Sequence, residues 1–291
     1  MGILNVTPDS FSDGGERFAA DAAVAHALRM IEDGADLIDI GPESTRPGAI
    51  AVPADEQLRR AISVIESIRS RDQRVPISID TRSARVAETA LRAGADIVND
   101  VSALRDDPDM ARVAADQGAG VVLMHRRGTS LDMQLGGGPE YQEVVGEICD
   151  FLQQRRDEAV AKGVQPERIL FDPGIGFGKR VEHNLTILRN LNRFAALGRP
   201  LVVGVSRKSF IGRVLGIDDP RQRDTASLAC AVLAVMTARR PPEDCSRLVP
   251  PRRQTDAEAS PPGLVILRVH DVAAAAQAAR LMRAVFGENS P

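Results

Sequence analysis

Tryptophan is absent from this chain of 291 residues, aromatics make up only 3% of it, and Lys162, Lys179 and Lys208 are the only lysines among 37 basic side chains. The core must therefore be aliphatic, drawn from a hydrophobic content of 43%. No apolar run approaches the roughly 20 residues that span a bilayer, and no basic stretch followed by an apolar one marks a secretory leader. Cys149, Cys230 and Cys245 lack metal-ligand or CxxC spacing, the pattern of reduced thiols in a cytoplasmic protein. A formal net charge of −3 gives no electrostatic reason to expect nucleic acid or a membrane as partner.

What the chain does have is eight short apolar runs, each with a polar or charged residue at or beside its C-terminal end. They are Gly2–Asn5, Leu37–Ile40, Ile77–Asp80, Ile97–Asp100, Val121–His125, Ile169–Asp172, Leu201–Ser206 and Val265–His270. Continuous apolar runs read as strands buried on both faces, and parallel strands need a crossover helix between them. Segments of helical period fill the gaps, at 21–33, 54–70, 82–93, 109–117, 140–161, 181–195, 208–215, 224–238 and 272–286. Eight such units predict a single-domain α/β fold, a (β/α)8 TIM barrel, whose usual size is about 250 residues. The strand ends then meet at one mouth, where barrels do chemistry. The chain reads as an enzyme.

Long Gly/Pro-rich loops follow runs one, two, five and six, on the face that covers substrate. Residues 237–262 hold three Pro-Pro pairs and mixed charge, which predicts a disordered insert at the bottom of the barrel with no catalytic part. Met1 leaves the first strand almost no lead-in, so a late start site or a trimmed chain is expected.

Four constellations carry chemistry. The loop Asn5–Gly15, with two acids, an amide and several hydroxyls, suits a hard cation shared with phosphate oxygens, as Mg²⁺ is commonly held; a solvated turn is the plain alternative. The loop Gly41–Ala49 offers Ser44, Thr45 and Arg46 between prolines, a fit for an anionic group. Asp80, Asn99 and Asp172 come from three strands and would share the upper barrel. Two acids and an amide in an apolar cup suit a flat heterocycle rich in N–H donors, and buried acids without partners are costly enough to need a reason. Last come Ser206-Arg207-Lys208 and Arg268-Val269-His270. Strand alternation points Arg268 and His270 the same way, and with Lys208 they make a cationic patch for a phosphate. A chain that so rarely uses lysine places Lys208 beside an arginine, and the two are not interchangeable. His125 ends the fifth run and helps shape the mouth; His26 and His183 receive no role.

These motifs, GILNVTPDSFSDGG at 2–15, ESTRPGA at 43–49, SIDT at 78–81, ND at 99–100, MH at 124–125, DPGIGFGK at 172–179, SRKS at 206–209 and RVHD at 268–271, resemble those of the dihydropteroate synthase family nearly end to end and in order. The resemblance implies condensation of (7,8-dihydropterin-6-yl)methyl diphosphate with 4-aminobenzoate in folate synthesis, in the family that sulfonamides target. It also implies Mg²⁺ as cofactor at Asn5, assisted by Asp13, and pterin at Asp80, Asn99, Asp172 and Lys208, with Met124 and Phe177 near the ring. Diphosphate would lie at Thr45, Arg268 and His270, and aminobenzoate at Phe11, Pro47 and Ser209, with Arg46 and Val269 also among the substrate-binding residues. Asp80, Lys208, Arg268 and His270 form the catalytic set, small molecules are the partners, and a homodimer is the expected assembly. Pro42, where the family usually has Gly, and Arg126, where it usually has Met, depart from the pattern. Two alternatives stay open: a methyltetrahydrofolate-binding barrel, which would not need the diphosphate patch, and an inactive paralogue that only binds.

Overall fold

The computed structural model describes residues 1–7, 15–44, 49, 51–128, 140–240 and 264–286, with residues 15–19 described by backbone alone. Eight parallel strands, β1 (Gly2–Asn5), β2 (Ile38–Gly41), β3 (Ile77–Asp80), β4 (Ile97–Asp100), β5 (Gly120–Met124), β6 (Ile169–Asp172), β7 (Leu201–Gly204) and β8 (Val265–Arg268), pair in sequence order. A parallel bridge between Gly2 and Val269 joins the last strand to the first, with Ile3 N–H donating to the Val269 carbonyl at 2.9 Å and Val269 N–H to that of Met1 at 3.0 Å. The ring is a (β/α)8 barrel.

Ten α-helices surround it among the described residues: α1 (Gly15–Glu32), α2 (Ala54–Arg71), α3 (Ala84–Arg92), α4 (Met110–Asp116), α5 (Val144–Ala161), α6 (Val181–Arg189), α7 (Leu191–Ala195), α8 (Ser209–Leu215), α9 (Asp224–Ala238) and α10 (Val272–Val285). The single helix expected over 181–195 is broken at Asn190, whose φ of −120° leaves the helical region. The first residues assigned to the expected insert belong instead to α9. Thr237 is buried and Ala238 ends α9, while the insert's 241–262 lie outside the described residues. None of the described helices is long and apolar enough to cross a membrane.

Side-chain alternation along each strand sorts the barrel into two packings. Ile38, Ile40, Ile77, Ile79, Val98, Val121, Leu123, Phe171 and Val203 face outward and join the main core beneath the helices. A fully buried aliphatic side chain of this size contributes about 1.5–3 kcal/mol, so this layer supplies most of the fold's drive. The inward set begins with a separate apolar cluster of Met1, Leu37, Val122 and Val202, with Ile97, Leu170 and Ile266 packed on it. That cluster is the barrel's floor. Two residues further along β2, β4, β6 and β8 the side chains become polar, at Asp39, Asn99, Asp172 and Arg268.

Candidate active site

Above the floor the inward positions hold Asp39, Ser78, Asn99, Met124, Asp172, Gly204 and Arg268, and one step higher come Asn5, Gly41, Asp80, Ser206 and His270. Arg268 organises this layer. Its guanidinium reaches Asp39 at 2.6 Å and Asp80 at 3.0 Å, and the Asn99 amide N–H₂ donates to Asp39 at 3.3 Å. Burial works against the charge on Arg268, but Asp39 and Asp80 raise its pKa above the ordinary value. Arg268, expected from sequence in a cationic patch, is also paired with two buried carboxylates. Asp39, from the second run, was given no role from sequence. The signal was there, an acid two residues after Leu37 in a run that is otherwise apolar.

Asp80 is 4% exposed. Its Oδ2 takes the Arg268 bond, while Oδ1 is buried with no hydrogen-bond partner. Burial raises its pKa to about 7; Arg268 opposes the shift, and the charges of Asp39, Asp100 and Glu43 add to it. An unsatisfied buried acceptor costs about 1–3 kcal/mol, a cost that a ligand N–H can remove. Asp172 is also pushed upward by burial, against the Gly174 N–H, which donates to its Oδ1 at 2.7 Å. Asp100, next to Asn99, points the other way and accepts from the N–H groups of Ser102 and Leu104 at 2.7 and 2.9 Å, so it ties the β4–α4 loop and not the mouth.

Lys208 stands at the N-cap of α8 with its Nζ 4.1 Å above the Phe177 ring. It is placed by its neighbour: Arg207 adopts φ of 59°, a left-handed conformation that an ordinary side chain takes only under constraint. The constraint is visible. Arg207 pairs with Asp224 at 2.7 and 2.9 Å, its N–H donates to Ser227 Oγ at 2.9 Å, and Arg223 donates to its carbonyl at 3.1 Å. Ser206 Oγ lies 2.9 Å from His270 Nδ1, so the ends of β7 and β8 are linked at the mouth. Ser209 is exposed at the first position of α8 and Met124 is buried at the end of β5. Val269 has outward parity and packs in the main core. Its side chain is not at the mouth, which corrects the expectation for it; only its backbone runs there.

Asn5 ends β1 with its amide oxygen above Gly41, where a Cβ would lie 3.4 Å from that oxygen. Among the described residues no set of three acids, His or Cys could hold a metal. One neutral oxygen therefore fits Mg²⁺ only as a shared ligand, with phosphate oxygens and water making up the shell. Phe11, Asp13, Thr45, Arg46 and Pro47 lie outside the described residues. The second loop is anchored where it is described, by buried Glu43, which accepts from the Val52 N–H at 2.9 Å and from Arg82 at 3.1 Å. Pro42 takes an Arg60 N–H on its carbonyl at 3.0 Å. Arg126 is buried and paired with Asp106 at 2.6 Å, so a charged side chain is accommodated at that position.

A closed parallel barrel whose mouth gathers three buried carboxylates, an amide and three basic side chains defines a small-molecule enzyme of the anion-handling kind. The chain matches the family described as pterin binding enzyme over residues 1–240. It is 43% identical to a dihydropteroate synthase of Synechocystis over 98% of this chain and 89% of that one. A structure of Xanthomonas albilineans dihydropteroate synthase with 4-aminobenzoic acid superposes with a TM-score of 0.83 at 43% identity, covering 100% of this chain and 93% of the other. One of the same enzyme in complex with 7,8-dihydropteroate gives 0.80 at 40% identity, over 100% and 94%. The chain belongs to the dihydropteroate synthase family.

Proposed function

We propose that this enzyme condenses (7,8-dihydropterin-6-yl)methyl diphosphate with 4-aminobenzoate, releasing 7,8-dihydropteroate and diphosphate. The observation that carries this reading is the orphaned Asp80 Oδ1, next to Asn99 across the β3–β4 pair in a mouth that also holds buried Asp172: a set of acceptors matched to the amino and ring N–H groups of a pterin. Phe177 and Met124 offer it apolar surface. The arylamine nitrogen attacks the methylene carbon as the C–O bond to diphosphate breaks. The leaving group takes the bonding pair, and the nitrogen gives up a proton to solvent. Positive charge developing on the pterin methylene is stabilised by the Asp80 carboxylate. Negative charge on the departing oxygens falls to Lys208, His270 and the N–H groups of Arg268 that Asp39 and Asp80 leave open. Each well-placed group of this kind is worth on the order of 3–4 kcal/mol in the transition state. Asn5 would hold Mg²⁺, with Asp13 assisting, and the ion would supply further charge neutralisation on the diphosphate. The amine is a nucleophile in its neutral form, so no strong base is required.

A coupled assay for diphosphate tests the reading. Release should require the pterin diphosphate and 4-aminobenzoate together and rise with Mg²⁺. Release of equal rate without the arylamine, or none under any of these conditions, would contradict it. Lys208→Ala should abolish turnover and leave the fold intact.

A further inference from the structure

The loop between β6 and α6 sits directly on the chain leaving β5. A Cβ at Gly174 would overlap the His125 carbonyl, and one at Gly178 the Arg127 carbonyl; both glycines have left-handed φ, 69° and 62°. Lys179 fastens this seat. It is 4% exposed, and its Nζ lies 2.9 Å from His125 Nδ1, 3.2 Å from the His125 carbonyl and 3.1 Å from the Phe177 carbonyl. Three acceptors converge on this nitrogen and match the three donors of an ammonium, while burial pushes its pKa well below the usual lysine range, with Asp172 opposing the shift. The opposite face of the loop is the mouth, where the Phe177 ring lies under Lys208 Nζ and Gly176 leaves room for the Lys208 stem, 3.1 Å from a hypothetical Cβ.

We propose that Lys179 is a positioning residue for the pterin site: by tying the Phe177 carbonyl to His125 at the end of β5, it sets where Phe177 and Lys208 meet the substrate ring. This inference rests on the proposed function and deepens it. Burial depresses His125 well below the usual imidazole range, which favours the neutral ring; with its proton on Nε2, Nδ1 accepts from the lysine. Lysine scarcity marked Lys208 in the sequence and marks Lys179 equally, within the same motif as Phe177.

Calorimetric binding of (7,8-dihydropterin-6-yl)methyl diphosphate, with steady-state kinetics, separates positioning from mere stability. Lys179→Met, close in length and without donors, should bind the pterin roughly tenfold to a hundredfold more weakly, the loss of one or two charge-assisted hydrogen bonds. Its KM for the pterin should rise in step, with a smaller change for 4-aminobenzoate. His125→Asn, which keeps a side-chain acceptor, should retain more affinity than His125→Leu, which does not. A folded Lys179→Met protein that binds pterin as the wild type does would overturn the role, and so would equal affinities in the two His125 variants if the lysine variant fails to fold. A wild type that neither binds the pterin nor releases diphosphate overturns the function itself; a wild type that does both beside an unaffected Lys179→Met overturns only this inference.

Discussion

Two residues along β2, β4, β6 and β8 separate the driest part of this barrel from its most polar part. On the floor Leu37, Val122 and Val202 pack against one another with no polar atom to satisfy. At the next inward positions Asp39 and Arg268 pair, and one step above them Asp80 keeps an oxygen without a partner. Between Ile79 and Asp80 the contrast is a single residue: one side chain faces the helices and is fully buried in apolar surroundings, its neighbour faces the mouth. The outward layer and the floor carry the apolar packing, and the mouth carries a left-handed backbone at Arg207 and a buried Asp80 oxygen open to a ligand. Apolar packing and chemistry are thus divided along the barrel axis and between alternate residues, and the buried pairing of Arg268 with Asp39 and Asp80 is where one group serves both.

The division is open to attack. Arg268→Ala should be the costliest single change, because it strands Asp39 and Asp80 as unpaired buried acids; a loss of about 3–5 kcal/mol is expected in denaturant unfolding, and adding Asp39→Asn should recover part of it. Next comes an adjacent pair. Asp80→Asn should lower turnover by roughly 10²–10³-fold with no loss of stability, whereas Ile79→Ala should cost about 2–5 kcal/mol of stability and leave turnover of the folded enzyme near wild type. If both variants lost both properties alike, the division would fail.

A pH experiment sharpens the same comparison. Because Asp80 titrates at about 7 in the fold against 3.8 ordinarily, the folded protein holds a proton there that the unfolded chain releases. Its contribution to stability is greatest below the lower value and is lost as pH rises toward the upper one. Asp80→Asn should therefore gain stability relative to wild type across that window in pH-dependent unfolding. Pterin affinity of the wild type should fall as pH drops through about 7, as the acceptor protonates. The smallest effect belongs to Ser206→Ala, which removes one hydrogen bond to His270; about 1 kcal/mol, or a severalfold drop in kcat/KM, is expected.

Much of this was legible in the residues. Buried parallel strands advertise themselves as apolar runs, so all eight are legible to within two residues at either end, and most of the runs carry a polar residue that faces the mouth. Strand parity could also have been read: Val269 follows Leu267 outward, and Asp39 follows Leu37 inward. What alternation did not show was pairing. Arg268 lies 229 positions from Asp39 along the chain, and nothing local marks the two as partners. Lys179 was hidden for another reason: its three acceptors include two backbone carbonyls, and carbonyls leave no trace in side-chain chemistry. The left-handed turn at Arg207 was equally silent, since it is imposed from α9 by Asp224 and Ser227 and not by the residue itself.

The most direct test is a crystal structure of the protein with 7,8-dihydropteroate bound. The account predicts the pterin ring stacked at Phe177, with a ring or amino N–H within hydrogen-bonding distance of Asp80 Oδ1 and further bonds to Asn99 and Asp172. A ring seated elsewhere, with Asp80 Oδ1 still unpartnered, would contradict it.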